Sequence, residues 1–251
     1  WEAVQVMAKP FLIIQLRPED ATAENELAAI KRYGQLGDDE VRRLRAEQAG
    51  LDNIDLDSYA GIIVGGSPFD ISTAIERKSA MQLKVEAGFK TLLEDIIGRD
   101  FPFLGCCSGN GLLGSYLGAP ISSKYAEPVG GATIHLTEEG KRDRLLKDFP
   151  ESLRVLLGHK EACDCTPPGA VLLAGNAACP VQMFRVRNNI YATQFHPEAD
   201  AEGFTVRINI YRDFGYFPAD SAEELIAAVE NEKTPEAQLL LKRFVDSYRI
   251  E

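Results

Sequence analysis

The sequence predicts an α/β fold: short buried strands feed helices of a sheet, the sheet gains antiparallel strands in its second half, and a helical stretch closes the chain. Three observations predict it. Apolar runs ending in glycine or turn residues alternate with amphipathic segments up to residue 117. From Gly130 the texture changes to closely spaced segments rich in β-formers, and after His196 the helical period returns.

The elements follow in order. Phe11-Leu12-Ile13-Ile14 is the first strand, and residues 19–33 and 38–48 read as helices. Ala60-Gly61-Ile62-Ile63-Val64 is the next strand and opens into Gly65-Gly66-Ser67-Pro68. Residues 73–97 read as a long helix. Phe101-Pro102-Phe103-Leu104 is a strand that opens into Gly105-Cys106-Cys107, with a helix at 110–117. The second half holds strands at 132–136, 152–157, 171–174, 181–186 and 190–194, with Asn188-Asn189 as the hairpin turn between the last two. Helices at 203–212, 221–230 and 234–248 complete the chain, and Leu225, Leu239, Leu240, Leu241 and Phe244 pack them on the body or a partner. No linker, repeat or low-complexity tract interrupts the pattern. The expectation is one domain over 1–251, with a core of about 10–200 and a helical extension over 201–251.

Bulk properties narrow the function classes. A hydrophobic fraction of 45% with 26% charged residues is that of an ordinary globular chain rather than a disordered one. The net charge of -11 disfavours a nucleic-acid partner, and Lys141-Arg142-Asp143-Arg144 reads as a solvated helix face. No apolar run is long enough to span a bilayer and no leader pattern opens the chain. Five cysteines, an odd number, point to reduced thiols and a cytoplasmic setting. The Cys163/Cys165 pair lacks the further ligands of a zinc site, so no metal and no organic cofactor is expected.

Gly105-Cys106-Cys107-Ser108-Gly109 is G-x-C-x-G between a strand and a helix, a cysteine nucleophile elbow. The glycines let the chain turn sharply and thrust out Cys107 at a helix N-terminus, where unpaired N–H groups favour thiolate. Cys106, one residue away, belongs to the core. A pair of small thiols finishing a buried strand is the plainer alternative.

Of three histidines, His135, His159 and His196, the last follows a strand in Gln194-Phe195-His196-Pro197-Glu198. Residues two apart share a side in extended backbone, and Pro197 biases His196 toward it, so Glu198 can orient the imidazole. Alone, this tripeptide is a turn; its weight comes from occurring with the elbow, each at a strand end. Gly65-Gly66, also after a strand, brings N–H groups close to a ligand, and Gly66 N–H and Ser108 N–H are the candidate oxyanion donors.

These three motifs, in this order, resemble the class I glutamine amidotransferases, in particular free-standing proteins similar to the glutaminase domain of GMP synthase. Gly158-His159, Pro167-Pro168-Gly169 and Cys179-Pro180-Val181 are similar to the segment such proteins carry between nucleophile and base. The resemblance spans 11–198. It implies a flavodoxin-like, mostly parallel central sheet wrapped by helices, and a Cys107, His196 and Glu198 triad at the carboxyl edge of the strands. It further implies cleavage of the glutamine side-chain amide to glutamate and ammonia through a thioester, with no cofactor. Two positions depart. The family's substrate-holding Gln four residues after the nucleophile is Gly111 here, and His159 is followed by Lys160-Glu161 instead of Gly-Asp. His159 is read as structural or pocket-lining.

Other readings stay open at this stage. The same triad serves a γ-glutamyl peptidase, which the missing Gln at Gly111 favours. A glutaminase-like protein that needs a synthase or acceptor partner fits the acidic surface and helical tail. A cysteine α/β-hydrolase would place its acid before the histidine, as Asp164 stands, whereas Glu198 follows it.

Overall fold

A computed structural model describes residues 8–214 and 217–250; residues 1–7, 215–216 and 251 lie outside the described ones, and with them the reading of the chain's start as leaderless. The first half runs β1 (Phe11–Gln15), α1 (Asp20–Gly34), β2 (Val41–Arg45), α2 (Ala46–Ala49), β3 (Gly61–Val64), α3 (Ala80–Arg99), β4 (Phe103–Cys106) and α4 (Ser108–Tyr116). The second runs β5 (Ile121–Ser122), β6 (Glu127–Leu136), α5 (Glu138–Arg142), β7 (Ser152–His159), β8 (Ala162–Cys163), β9 (Ala170–Gly175), β10 (Met183–Val186) and β11 (Ile190–Thr193). Helices α6 (Ala201–Tyr211), α7 (Ala222–Val229) and α8 (Pro235–Tyr248) follow.

The main sheet has the order β2-β1-β3-β4-β11-β10-β9-β6-β7. From β2 to β11 neighbours are parallel, and from β11 to β7 they are antiparallel, so the expected gain of antiparallel strands in the second half is met. The parallel strands β1, β3, β4 and β11 are buried along their whole length, as helices on both faces require. Alternation along the strands divides the core. Phe11, Ile13, Ile63 and Leu104 pack with Ile30 of α1 and Leu240 and Phe244 of α8, while Leu12, Ile14, Ile62 and Phe103 pack with Val85, Phe89 and Ile96 of α3. Chain order reverses between β1 and β3, the switch point at which α/β sheets open a crevice at their carboxyl ends.

Several expectations shift. Residues 38–48 are not one helix: a 3-10 turn at Asp38–Glu40 leads into β2 and the single turn α2. Pairing with β1 overrides helical propensity there, and an edge strand tolerates arginines because each finds a carboxylate, Arg43 with Glu24 and Arg45 with Asp20. The long helix begins at Ala80 rather than 73, because the Ser79 side chain caps it by accepting from Gln82 N–H at 3.0 Å. In the β10–β11 hairpin the left-handed residue is Arg187 (φ 51°), and Asp100 accepts the N–H groups of Asn188 and Asn189. The short pair β5 and β8 and helix α5 carry too little periodicity to read. Of the C-terminal packing residues, Leu240, Leu241 and Phe244 are buried, whereas Leu239 faces solvent. No helix among the described residues is long and apolar enough to cross a membrane.

Candidate active site

The elbow forms because β4 ends against the start of α4. Cys107 caps α4 with φ 57° and ψ -88°, a region that side chains rarely occupy, and its N–H extends the ladder to β11 by donating to Thr193 O at 2.8 Å. The glycines act differently from the expectation. Neither has a positive φ; instead a Cβ on Gly105 would come within 2.7 Å of Gly109 Cα, so the pair permits close packing of strand and helix while Cys107 carries the turn. Ser108 Oγ donates to Gly65 O at 2.7 Å and ties the elbow to the loop after β3. Ser108 N–H is the first of α4, where no earlier carbonyl of the helix can accept it.

His196 follows β11, fixed by its own N–H donating to Leu156 O at 2.9 Å and by the Phe204 ring edge-on at 5.5 Å. Its Nδ1 lies 2.8 Å from Glu198 Oε1, and the ring also reaches the Cys107 sulfur within hydrogen-bonding distance. Gln194 Nε2 approaches that sulfur at 3.8 Å. Burial works against a charged imidazole, yet the Glu198 carboxylate and the Cys107 sulfur outweigh it and raise the His196 pKa to about 9. Burial also opposes the Glu198 charge, but His196 and Arg207, whose Nη1 is 3.2 Å away, hold the carboxyl far below its ordinary range. Cys106 sits in the core, and burial pushes its thiol well above the ordinary value. Asp164 is bonded to Ser122 and takes no part here.

A cavity of about 670 Å³ opens over these groups, lined by Cys107, Ser108, Gly111, His159, His196 and Arg207 among others. At Gly111 a Cβ would lie 2.9 Å from Ile71 Cδ1, so the loop before α3 fills the space of a side chain there. That loop is held down by Glu161, which accepts from Ile71 N–H at 2.5 Å and from Ser72 N–H at 2.9 Å. His159 forms part of the wall, with Nε2 2.9 Å from Glu127 Oε1 and Nδ1 2.9 Å from Glu161 O. Glu127, His159 and Cys179 are close enough to share a metal ion. Glu127 Oε1 already meets His159 Nε2 and Gln182 Nε2 at 2.9 and 2.6 Å, which closes the cluster by hydrogen bonds.

The structure thus brings Cys107, Ser108, His196 and Glu198 together as the spacing suggested, with Gly66 beside them. Gly66 N–H, however, donates to Glu26 Oε2 at 3.0 Å. Sequence reading passed over Glu26 and its partner Arg17, and over Arg207 and Tyr211 of α6. One signal was available: Glu26 falls with Ala23 and Ile30 on the apolar stripe of α1, and Arg207 with Phe204, Ile208 and Tyr211 on that of α6, where a charge demands a partner.

The family model for glutamine amidotransferase class-I matches residues 20–208. The chain is 29% identical over 139 residues to the glutamine-hydrolysing component of the GMP synthase of Methanosphaera stadtmanae, 55% of this chain and 64% of that one. With the corresponding component from Saccharolobus solfataricus it shares 28% over 145 residues, 57% of this chain and 70% of that one. The match to the glutamine-hydrolysing GMP synthase of Bacillus pumilus, 34% over 106 residues, takes in 42% of this chain and only 20% of that protein. The chain therefore spans less than two thirds of some of these curated relatives. Among solved structures, a glutamine amidotransferase of Thermotoga maritima aligns with a TM-score of 0.74 at 20% identity, covering 94% of this chain and 98% of that one. A glutamine amido transferase of Methylobacillus flagellatus aligns at 0.70 and 16% identity, covering 97% and 96%. At such identities the likeness is one of fold.

Proposed function

Because the chain belongs to the class I glutamine amidotransferase family, we propose that it is a cysteine-nucleophile amidohydrolase that cleaves the side-chain amide of glutamine to glutamate and ammonia. The observation that carries this reading is the strained elbow, which presents Cys107 to a buried imidazole already paired with Glu198. An imidazolium next to the sulfur stabilises the thiolate. The thiolate attacks the amide carbon, and Ser108 N–H faces the oxygen as charge develops there. His196 protonates the departing nitrogen and then, as a neutral base, activates water against the thioester. Glu198 holds the ring in one orientation throughout, and Arg207 keeps Glu198 ionised.

A second reading, γ-glutamyl amides or peptides as substrates of the same triad, is favoured by two features. Ile71 closes the position of the family's substrate-holding Gln, and a cavity of about 670 Å³ is ample for more than free glutamine. Because two of the relatives bear the name of one component of a GMP synthase, a synthase or acceptor partner for the released ammonia belongs to the proposal as well. The test is a panel of glutamine and γ-glutamyl compounds assayed for ammonia and amine release, with wild type and Cys107→Ser side by side. Full activity in Cys107→Ser would sink the mechanism. Labelling by a glutamine-analogue electrophile should map to Cys107; Cys165, the exposed thiol, serves as the internal measure of unspecific reaction.

A further inference from the structure

One of the two expected oxyanion donors is already engaged, since Gly66 N–H donates to Glu26 Oε2. Glu26 is fully buried and held in place, with Gln15 Nε2 at 3.1 Å and Arg17 Nε at 2.8 Å on its two oxygens. A second donor stands at the same place. A Cβ built on Gly66 would lie 2.3 Å from Arg17 Nη2 and 3.1 Å from His196 Cε1, so the guanidinium tip and the imidazole meet over this glycine. Arg17 gives Nε to Glu26 and Nη1 to Tyr211 at 2.9 Å, while Nη2 has no hydrogen-bond partner among the described residues. The side chain is only 9% exposed and lines the cavity that holds Cys107.

We propose that Arg17 is a catalytic residue, whose Nη2–H holds the oxygen of the tetrahedral intermediate together with Ser108 N–H, in place of Gly66 N–H; this rests on the Cys107 reading above. As Sγ bonds to the amide carbon, the C=O π pair moves onto oxygen, where a cationic donor is waiting. As the C–N bond breaks, nitrogen leaves with the bonding pair and a proton from His196, and the oxygen pair re-forms C=O in the thioester. A charge-assisted donor is stronger than a neutral peptide N–H, and three nitrogens let one arginine serve Glu26, Tyr211 and the substrate oxygen at once. With both fixed partners in place, the donor needs no reorganisation during the reaction. The requirement for glycine at 66 follows too, because any side chain would press on Nη2.

Steady-state kinetics of Arg17→Lys and Arg17→Gln, with thermal melts to establish folding, test this. Lysine keeps a cation next to Glu26 but cannot reproduce the fork. Both variants should lose about 10²–10³-fold in kcat with KM within a few-fold. A γ-glutamyl aldehyde, which forms a tetrahedral adduct on Cys107, should lose affinity by a similar factor. In folded Arg17→Ala, methylguanidinium should restore part of the rate and methylammonium should not. Unchanged kcat overturns the proposal. So does a loss confined to KM that vanishes with substrates lacking the α-carboxylate, or a kcat loss with neither rescue nor weakened aldehyde binding. A wild type that cleaves none of the amides and leaves Cys107 unlabelled overturns the amidohydrolase reading, and this proposal with it.

Discussion

Replacing Glu198 by Gln removes the charge that keeps His196 protonated while preserving the size of the side chain. In the wild type the imidazole moves from 6.5 to about 9, a gap of about 2.5 pH units, or about 3 kcal/mol in favour of the imidazolium. Burial alone pulls the other way, so without the carboxylate His196 is expected to titrate at or below its ordinary value. Loss of the imidazolium at neutral pH also removes the cation facing Cys107, so alkylation of that thiol near pH 7 should slow. Nitrogen-15 NMR of labelled histidine reads the effect directly, because the chain has only three histidines. His135, hydrogen-bonded to Ser152 at the surface, serves as a reference. The expected outcome is a His196 transition near pH 9 in the wild type that moves below neutrality in Glu198→Gln, with the basic limb of the amidase pH profile following it. A wild-type His196 that titrates like His135, or a transition that stays in place in the variant, would refute the ion-pair account.

The same pair makes stability depend on pH. His196 has a raised folded pKa, so its contribution is complete below about 6.5 and is lost as pH climbs through about 9; denaturant midpoints should fall over that window and be flatter in Glu198→Gln. Glu198 is depressed, so its contribution is complete above its ordinary 4.5 and disappears only in strong acid. Gly105→Ala should destabilise by about 1–3 kcal/mol in urea unfolding and reduce amidase activity, since its Cβ meets backbone atoms of Gly109 that cannot yield. Gly98→Ala, with open space around its Cβ, is the control expected to be neutral or stabilising. Cys107→Gly should unfold at higher urea than Cys107→Ala, by about 1 kcal/mol or more, because only glycine relieves φ 57°. Equal midpoints would show that the elbow stores no strain.

The legible parts of the site were those whose chemistry is local. Gly-Cys-Cys-Ser-Gly and His-Pro-Glu each compress a strand end and its turn into five residues or fewer, and the strands before them are short enough to read from their apolar runs. Even there the physical reason had to be corrected. The turn is carried by Cys107 itself, and Gly105 and Gly109 are needed for contact rather than for conformational freedom. Edges were poorest where partners decide: β2 looks helical until it pairs with β1, and the start of α3 depends on a loop that Glu161 holds from ninety residues away.

By itself, then, the sequence determined the order of strands and helices, the nucleophile and base candidates, and the core identity of Cys106, because hydrophobic period and turn chemistry are written among near neighbours. Only the tertiary structure decided which N–H groups are free to meet a substrate. Glu26 reaches Gly66 across 40 residues and Arg17 reaches Tyr211 across 194. A charge on an apolar stripe carries no mark of its partner until the two helices and the sheet edge are brought together. Burial then forces the pairing, since an unpaired charge there would cost more than the fold could sustain.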